Sequence, residues 1–340
     1  MSVGLVYDPI YLGHDTGEHP ENKQRLEAII SRLKESGLWE RLTHIIPCPA
    51  TMEELLRVHS KRHILSVREL AVSGGGQIDA DTVVSRHSFK AALYAAGGVE
   101  SAVEVVMSGE ASSAFALVRP PGHHATREQA MGFCLFNNVA IGAAHALDKF
   151  GLERVLILDF DVHHGNGTQD IFCNEPRVCY VSVHQSPLYP GTGDIGEQGV
   201  GNMFNIPLPP GCGDGEYARV YDEIVMPLGR RFNPQLIVVS AGFDAHWAYE
   251  LASMSLSIKG YAQIVRRIRA LAEQLCEGRL VFSLEGGYNL AALAGCVKAV
   301  FDVLLENPDI EDRLGACPSV EKSPDIAPLL ARLKEVFGLD

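Results

Sequence analysis

Three residues that can bind or move charge stand at the end of an apolar run: Asp159, Asp161 and His163, in Ile157-Leu-Asp-Phe-Asp-Val-His-His-Gly-Asn-Gly-Thr-Gln169. In an extended chain Asp159 and Asp161 point to the same face. A strand apolar enough to read Val155-Leu-Ile-Leu158 should not end in two carboxylates unless something offsets their desolvation, and a cation is the usual means. Asp161-x-His163 offers one oxygen and one imidazole nitrogen on one side of the backbone, a ligand pair suited to Zn²⁺ or a similar ion.

Other segments supply complementary groups. Arg119-Pro-Pro-Gly-His-His124 is a rigid turn that delivers adjacent histidines into one space. A histidine whose second ring nitrogen is bonded to an acid is a tuned general acid or base; Asp159 is the natural partner for one of the pair and Asn166 a neutral partner for the other. Val239-Ser-Ala-Gly-Phe-Asp244 brings a third acid, which with Asp161 and His163 makes a three-ligand site with a position left open for water and substrate. In Leu284-Glu-Gly-Gly-Tyr-Asn289, two glycines leave Tyr288 free to turn inward, where a phenol can donate to a developing oxyanion. Gly132, Phe133 and the loop Pro187–Gly193 with Tyr189 read either as apolar walls of a substrate channel or as loop packing. There is no phosphate-binding Gly-x-x-x-x-Gly-Lys-Ser/Thr, no dinucleotide fingerprint and no Gly-x-Ser-x-Gly elbow.

The elements that must position these groups are eight β-rich runs: Val3–Tyr7, His44–Ile46, Ala114–Val118, Arg154–Phe160, Val178–Val183, Met203–Ile206, Gln235–Ser240 and Arg279–Leu284. Most are continuously apolar, as strands covered on both faces are. Helical patterns run through Glu21–Glu35 (after Pro20), Phe89–Met107, Asn138–Phe150, Tyr217–Phe232, Ile258–Cys276 and Leu290–Leu305. This alternation predicts an α/β fold, a mainly parallel sheet with helices on both faces, whose ligands bind beyond the carboxyl ends of the strands. Every chemically loaded motif is read as lying just after such a run. With no linker or internal repeat, residues 1–306 read as one domain. Residues 307–340 read as an appendage carrying one amphipathic helix, Ile326–Phe337, packed on that domain.

Composition narrows the function. The net charge of −13, with no basic run, speaks against nucleic acid or an anionic membrane as partner. No apolar stretch approaches 18 residues, and Met1-Ser-Val-Gly-Leu-Val-Tyr-Asp8 reads as a first strand and not a signal peptide. The eight cysteines form no Cys-x-x-Cys pair, which fits free thiols in a reducing compartment, the cytoplasm.

Taken in order, His19-Pro-Glu-Asn-Lys-Gln-Arg25, Arg119–His124, Gly132-Phe-Cys-Leu-Phe-Asn-Asn138, Asp159–Gly167, Tyr189-Pro-Gly-Thr-Gly193, Gly242-Phe-Asp244 and Glu285–Asn289 resemble the zinc-dependent histone deacetylase superfamily. That superfamily includes acetylpolyamine amidohydrolases and acetoin-utilisation proteins. The likeness runs from about residue 5 to residue 305 and is greatest to the class II branch, because Asn166 stands where class I enzymes carry an aspartate. It implies a single-domain arginase–deacetylase fold with an eight-stranded sheet. It also implies one catalytic Zn²⁺, with Fe²⁺ the alternative, on Asp161, His163 and Asp244, and a structural K⁺ on Asp159, Asp161, His163, Ser182 and Val183. By the same resemblance His123, paired with Asp159, is the general base. His124, beside Asn166, helps protonate the leaving amine, Tyr288 polarises the scissile carbonyl, and Gly132, Phe133 and Tyr189 flank the acyl channel. The family more often has phenylalanine at the last position.

The expected activity is removal of acetyl or other acyl groups from acyl-lysine, with acetylpolyamine as the alternative substrate. In polyamine-selective relatives an acidic gatekeeper follows the last zinc ligand by seven residues; here that residue is Leu251, as in lysine deacetylases. Glu250 lies beside it, one residue's shift from the rim. Two rivals remain. An arginase-type ureohydrolase needs Asp-x-His-x-Asp and two metals, but Gly165 occupies the last position. A non-catalytic acyl-lysine binder would lose the tyrosine or a ligand, and both are kept. A homo-oligomer is left open.

Overall fold

The computed structural model describes residues 2–318 and 323–339; Met1, Asp340 and residues 319–322 of the expected appendage lie outside them. Among the described residues ten strands are formed: β1 Val3–Val6, β2 Thr43–Ile45, β3 Gly75–Gln77, β4 Val83–Ser85, β5 Ser113–Ala116, β6 Val155–Asp159, β7 Val178–Gln185, β8 Met203–Leu208, β9 Leu236–Ala241 and β10 Leu280–Leu284. Among the described residues, eight make one sheet in the order β2-β1-β5-β10-β9-β6-β7-β8, every neighbouring pair parallel. All residues of β1, β5, β6, β7, β9 and β10 are buried. Successive side chains on a strand face opposite ways, so both faces are covered. This is the α/β architecture expected from the unbroken apolar runs.

The helices are seated by capping residues that also pin the motif loops. Asn289, directly after Tyr288, accepts from Ala292 N–H at 3.1 Å to start Leu290–Leu304 and donates to the Ala248 carbonyl at 3.1 Å. Asn137 accepts from Ala140 N–H at 3.0 Å to start Asn138–Lys149. Each cap satisfies an orphan backbone donor and fixes where the preceding loop must end.

The element reading needs correction in several places. The first helix begins at Gln24, not Glu21, because Glu21 is drawn into the interior by two arginines. The helix expected over Tyr217–Phe232 is three pieces, Asp214–Val220, a π-turn Tyr221–Val225, and Met226–Phe232; Pro227 has no N–H to give the carbonyl four residues back. Helices Met52–Leu56 and Lys61–Val72, capped by Thr51 and Ser60, were not expected, nor was the antiparallel β3–β4 hairpin. At the C-terminal end, helix Ala327–Phe337 buries Leu330, Leu333 and Phe337. The Phe337 ring packs edge-on against Phe204 at 5.2 Å, and Lys334 pairs with Glu223 at 2.6 Å.

Candidate active site

The strand order places β5, β10, β9 and β6 side by side in mid-sheet, and the loop after each one carries a motif. His123 and His124 follow β5, Tyr288 follows β10, Asp244 follows β9, and Asp161 and His163 follow β6. Four carboxyl ends in a row converge on one spot, as in other open parallel sheets.

Asp161, His163 and Asp244 bring ligand atoms within 4.8 Å of one another. His163 Nδ1 lies 3.0 Å from Asp161 Oδ1 and 3.2 Å from Asp244 Oδ2. The outer oxygens are committed to the backbone: Asp161 Oδ2 accepts from Gly286 N–H at 2.8 Å and Asp244 Oδ1 from Val162 N–H at 2.9 Å. Asp244 Oδ2 is buried with no hydrogen-bond partner, and burial together with the Asp161 charge raises the Asp244 pKa. Burial works against charge on His163, yet Asp161 and Asp244 overcome it and hold its pKa up at about 10. Two buried carboxylates thus hold a positive charge on the ring between them, and a divalent cation would satisfy the same field more fully. The space is kept by glycine. A Cβ on Gly286 would lie 2.3 Å from Asp244 Oδ2 and 2.5 Å from Asp161 Oδ2, and one on Gly242 would lie 2.0 Å from Asp161 Oδ2. The donor set, one nitrogen and two carboxylates, fits Zn²⁺ or a similar ion.

Each histidine of the pair has its own partner. His123 Nδ1 is 3.0 Å from Asp159 Oδ2, an oxygen that also accepts from the Tyr180 hydroxyl at 2.9 Å. His124 Nδ1 is 2.8 Å from Asn166 Oδ1. A carboxylate can only accept, so His123 carries its proton on Nδ1 and turns Nε2 outward. Burial opposes charge on His123, but Asp161 and then Asp159 overcome it, to about 10; a cation held by Asp161 would cancel the larger attraction. His124 is pushed well down by burial and by the neighbouring His123 and His163. The two histidines therefore differ in protonation tendency, His123 holding a second proton far more firmly than His124. Gly165, at the position of the missing ureohydrolase ligand, has no room for a side chain: a Cβ there would lie 2.3 Å from the Tyr180 hydroxyl and 2.4 Å from Asp159 Oδ2.

These groups floor a cavity of about 240 Å³ whose walls include Gly132, Phe133, Leu188, Tyr189, Tyr249, Leu251 and Tyr288. Phe133 adopts a left-handed backbone, φ 69°, the kind of strain seen at ligand clamps. Its N–H bonds Thr82 Oγ1 at 3.2 Å, and its ring meets Tyr288 edge-on at 5.6 Å. Tyr189 stands edge-on to His124 at 5.1 Å. Burial raises the Tyr288 phenol well above its usual range, so it remains a neutral donor. Glu250 does not join this constellation: it is exposed and outside the lining, whereas Leu251 stands at the mouth, 70% exposed. Ser182 is buried in register beside Asp159 on β7, with Val183 next to it.

Several residues of the site had no role assigned from the chain alone. Asp81 lines the mouth from the turn between β3 and β4; that acid-rich turn, Asp79-Ala-Asp81, was its only trace. Glu285 Oε2 accepts from Gly122 N–H at 2.6 Å and His123 N–H at 3.1 Å, fixing the histidine turn; burial raises its pKa to about 7. Glu21 is fully buried among Arg119, whose Nη2 it accepts at 2.7 Å, Arg25 at 3.1 Å and His14 at 3.5 Å. Arg25 donates to the Gly287 carbonyl at 2.8 Å and lies over the Tyr288 ring at 4.8 Å.

The histone deacetylase domain family matches residues 19–304. The chain belongs to the histone deacetylase family. It is 45% identical over 297 residues to a probable deacetylase of Archaeoglobus fulgidus, covering 85% of this chain and 82% of that one. It is 40% identical over 315 residues to histone deacetylase 14, chloroplastic, of Arabidopsis thaliana, covering 86% and 74%. Among solved structures, the HDA15 HD domain superposes with a TM-score of 0.89 at 33% identity, covering 99% of this chain and 96% of that one. The protein is a deacetylase hydrolase with the arginase–deacetylase fold, and its family is generally metal-dependent. No described helix is long and apolar enough to cross a membrane.

Proposed function

We propose that this deacetylase hydrolyses the side-chain amide of acyl-lysine in peptides or proteins, acetyl-lysine first, with a single divalent ion, Zn²⁺ or Fe²⁺, held by Asp161, His163 and Asp244. The observation that carries the reading is the cavity that Phe133, Tyr189 and Tyr288 line together with Asp161 and His163; an alkyl chain lying along the aromatic walls would deliver its terminal amide to the ligand residues. When bound, the ion supplies Lewis-acid polarisation of the carbonyl and a lowered pKa for water. His123 Nε2 then takes the proton of the attacking water, its imidazolium steadied by Asp159. The Tyr288 hydroxyl donates to the oxygen on which negative charge develops. The proton taken up by His123 then passes to the leaving nitrogen as the C–N bond breaks, helped by His124, which Asn166 orients and whose ring lies 4.0 Å from that of His123; amine and acetate are the products. A structural K⁺ on Asp159, Asp161, His163, Ser182 and Val183 belongs to the same proposal, supported by the buried Ser182 hydroxyl in register beside Asp159.

Leu251 at the rim and Glu250 outside the cavity favour acyl-lysine over a polycation. Asp81 favours the other reading, acetylpolyamine, because a carboxylate at the mouth can pair with a second ammonium. Steady-state assays of wild type and Asp81→Asn on an acetyl-lysine peptide and on N-acetylputrescine separate them. A higher kcat/KM on the peptide in wild type supports the proposal. A polyamine preference that Asp81→Asn abolishes replaces it. We also propose residues 1–306 as the catalytic domain with 307–340 as its appendage, and a cytoplasmic location, supported by the buried thiols Cys134, Cys179, Cys212, Cys276 and Cys296.

A further inference from the structure

A second set of ligand-type side chains lies away from the cavity. Glu54 on helix Met52–Leu56, Glu100 on helix Ser88–Met107 and His145 on helix Asn138–Lys149 present two carboxylate oxygens and an imidazole nitrogen within 4.8 Å of one another. His145 Nε2 lies 3.0 Å from Glu104 Oε1, an oxygen that also accepts from the Lys149 ammonium. That carboxylate is an acceptor, so the ring proton sits on Nε2 and the Nδ1 lone pair faces the other way. It faces Glu100 Oε1 at 3.3 Å and Glu54 Oε1 at 3.8 Å. Nδ1 and Glu100 Oε1 are nonetheless buried atoms without a hydrogen-bond partner, in residues only 4% and 5% exposed.

Three electron-pair donors turned on one another in a buried space repel unless a cation stands between them. The surrounding charge points the same way. Carboxylates Glu54, Glu100, Glu104 and Asp148 outnumber the cations Arg57 and Lys149 by two, with Arg57 drawn to Asp148 at 2.7 Å and Lys149 to Glu104. Donors about 2.1 Å from a tetrahedral Zn²⁺ are about 3.4 Å apart, close to the two distances found. A histidine held through its other N–H by a carboxylate is also how metal-bound histidines are oriented.

We propose that Glu54, Glu100 and His145 form a second divalent transition-metal site, taking Zn²⁺ and tying three helices together. Glu54, whose side chain is 21% exposed, is the side from which the ion enters. The test is the stoichiometry of Zn²⁺ bound by the full-length protein after dialysis, read by elemental analysis and titration calorimetry. Wild type is expected to take two equivalents and Glu54→Gln one, with deacetylase turnover unchanged. Asp244→Asn is expected to take one and the double variant none. Glutamine can keep the capping bond from Thr51 N–H, so the fold is preserved. A thermal melt adds a second readout: Zn²⁺ should raise the Tm of Asp244→Asn and leave that of the double variant unmoved. A single equivalent in wild type, or two in Glu54→Gln, overturns the proposal and assigns His145 Nδ1 a proton instead.

Discussion

Replacing Glu21 with glutamine should destabilise the fold far more than its place in a loop suggests. The carboxylate is fully buried and bonded by Arg119 and Arg25, so the substitution leaves two interior guanidinium groups facing a neutral amide. Breaking a buried ion pair from one side costs about 3–5 kcal/mol. The pKa gives a second route to the magnitude. Burial alone would raise it, but Arg119 and then His14 and Arg25 lower it from 4.5 to about 2, which corresponds to about 3 kcal/mol of folding stability. For 340 residues, an unfolding entropy of about 0.7 kcal/mol/K turns 3–4 kcal/mol into a Tm lowered by about 5 °C. Because the folded-state pKa is depressed, this contribution is fully present above pH 4.5 and is lost as pH falls toward 2. Thermal and urea melts of both proteins at pH 7 and at steps below pH 5 measure it. The gap between them should be widest at neutral pH and narrow in acid. Melts that coincide within about 1 °C at pH 7, or a gap that does not change with pH, refute the reasoning.

Three further outcomes are expected. Tyr288→Phe should keep its metal content and lose about 10²–10³-fold in kcat, the usual effect of deleting one donor to a developing oxyanion; metal analysis and steady-state kinetics check both halves. Gly286→Ala would drive a methyl to within 2.3 Å of Asp244 Oδ2, so elemental analysis should find the active-site equivalent of metal lost while circular dichroism retains the fold. Burial, aided by the neighbouring His63, lowers the His59 pKa from 6.5 to about 3, and burial lowers His14 to about 4. The unfolded chain binds these protons first, so the urea midpoint should fall as pH drops from about 6.5 toward 4.

How legible the molecule was in its sequence depended on whether a residue's role shows in its neighbours. The central strands were readable because doubly covered strands are continuously apolar: Val155–Asp159, Leu236–Ala241 and Leu280–Leu284 fall within one or two residues of the runs that announce them. Residues directly after those runs were readable as neighbours in one candidate site, because the carboxyl ends of adjacent parallel strands lie side by side. Glu21 was not, since nothing in His19-Pro-Glu21 tells that Arg119, 98 positions on, will draw it inward and delay the helix to Gln24. Asp81 sits on a hairpin whose strands are three residues long, too short for any periodicity to register. The capping box Thr51–Glu54 was written in the sequence as Thr-x-x-Glu, but the helix it starts is only five residues long. Whether Glu250 or Leu251 reaches the cavity turned on the path of a loop, which local pattern does not encode.

The most direct test of the account is acetate release from an acetyl-lysine peptide by the full-length protein carrying Zn²⁺, beside the chelator-stripped protein and Asp244→Asn. The account predicts turnover that vanishes on stripping, returns when Zn²⁺ is restored, and does not return in Asp244→Asn at any Zn²⁺ concentration that rescues wild type. Turnover that survives stripping, or an Asp244→Asn protein as active as wild type, would contradict it.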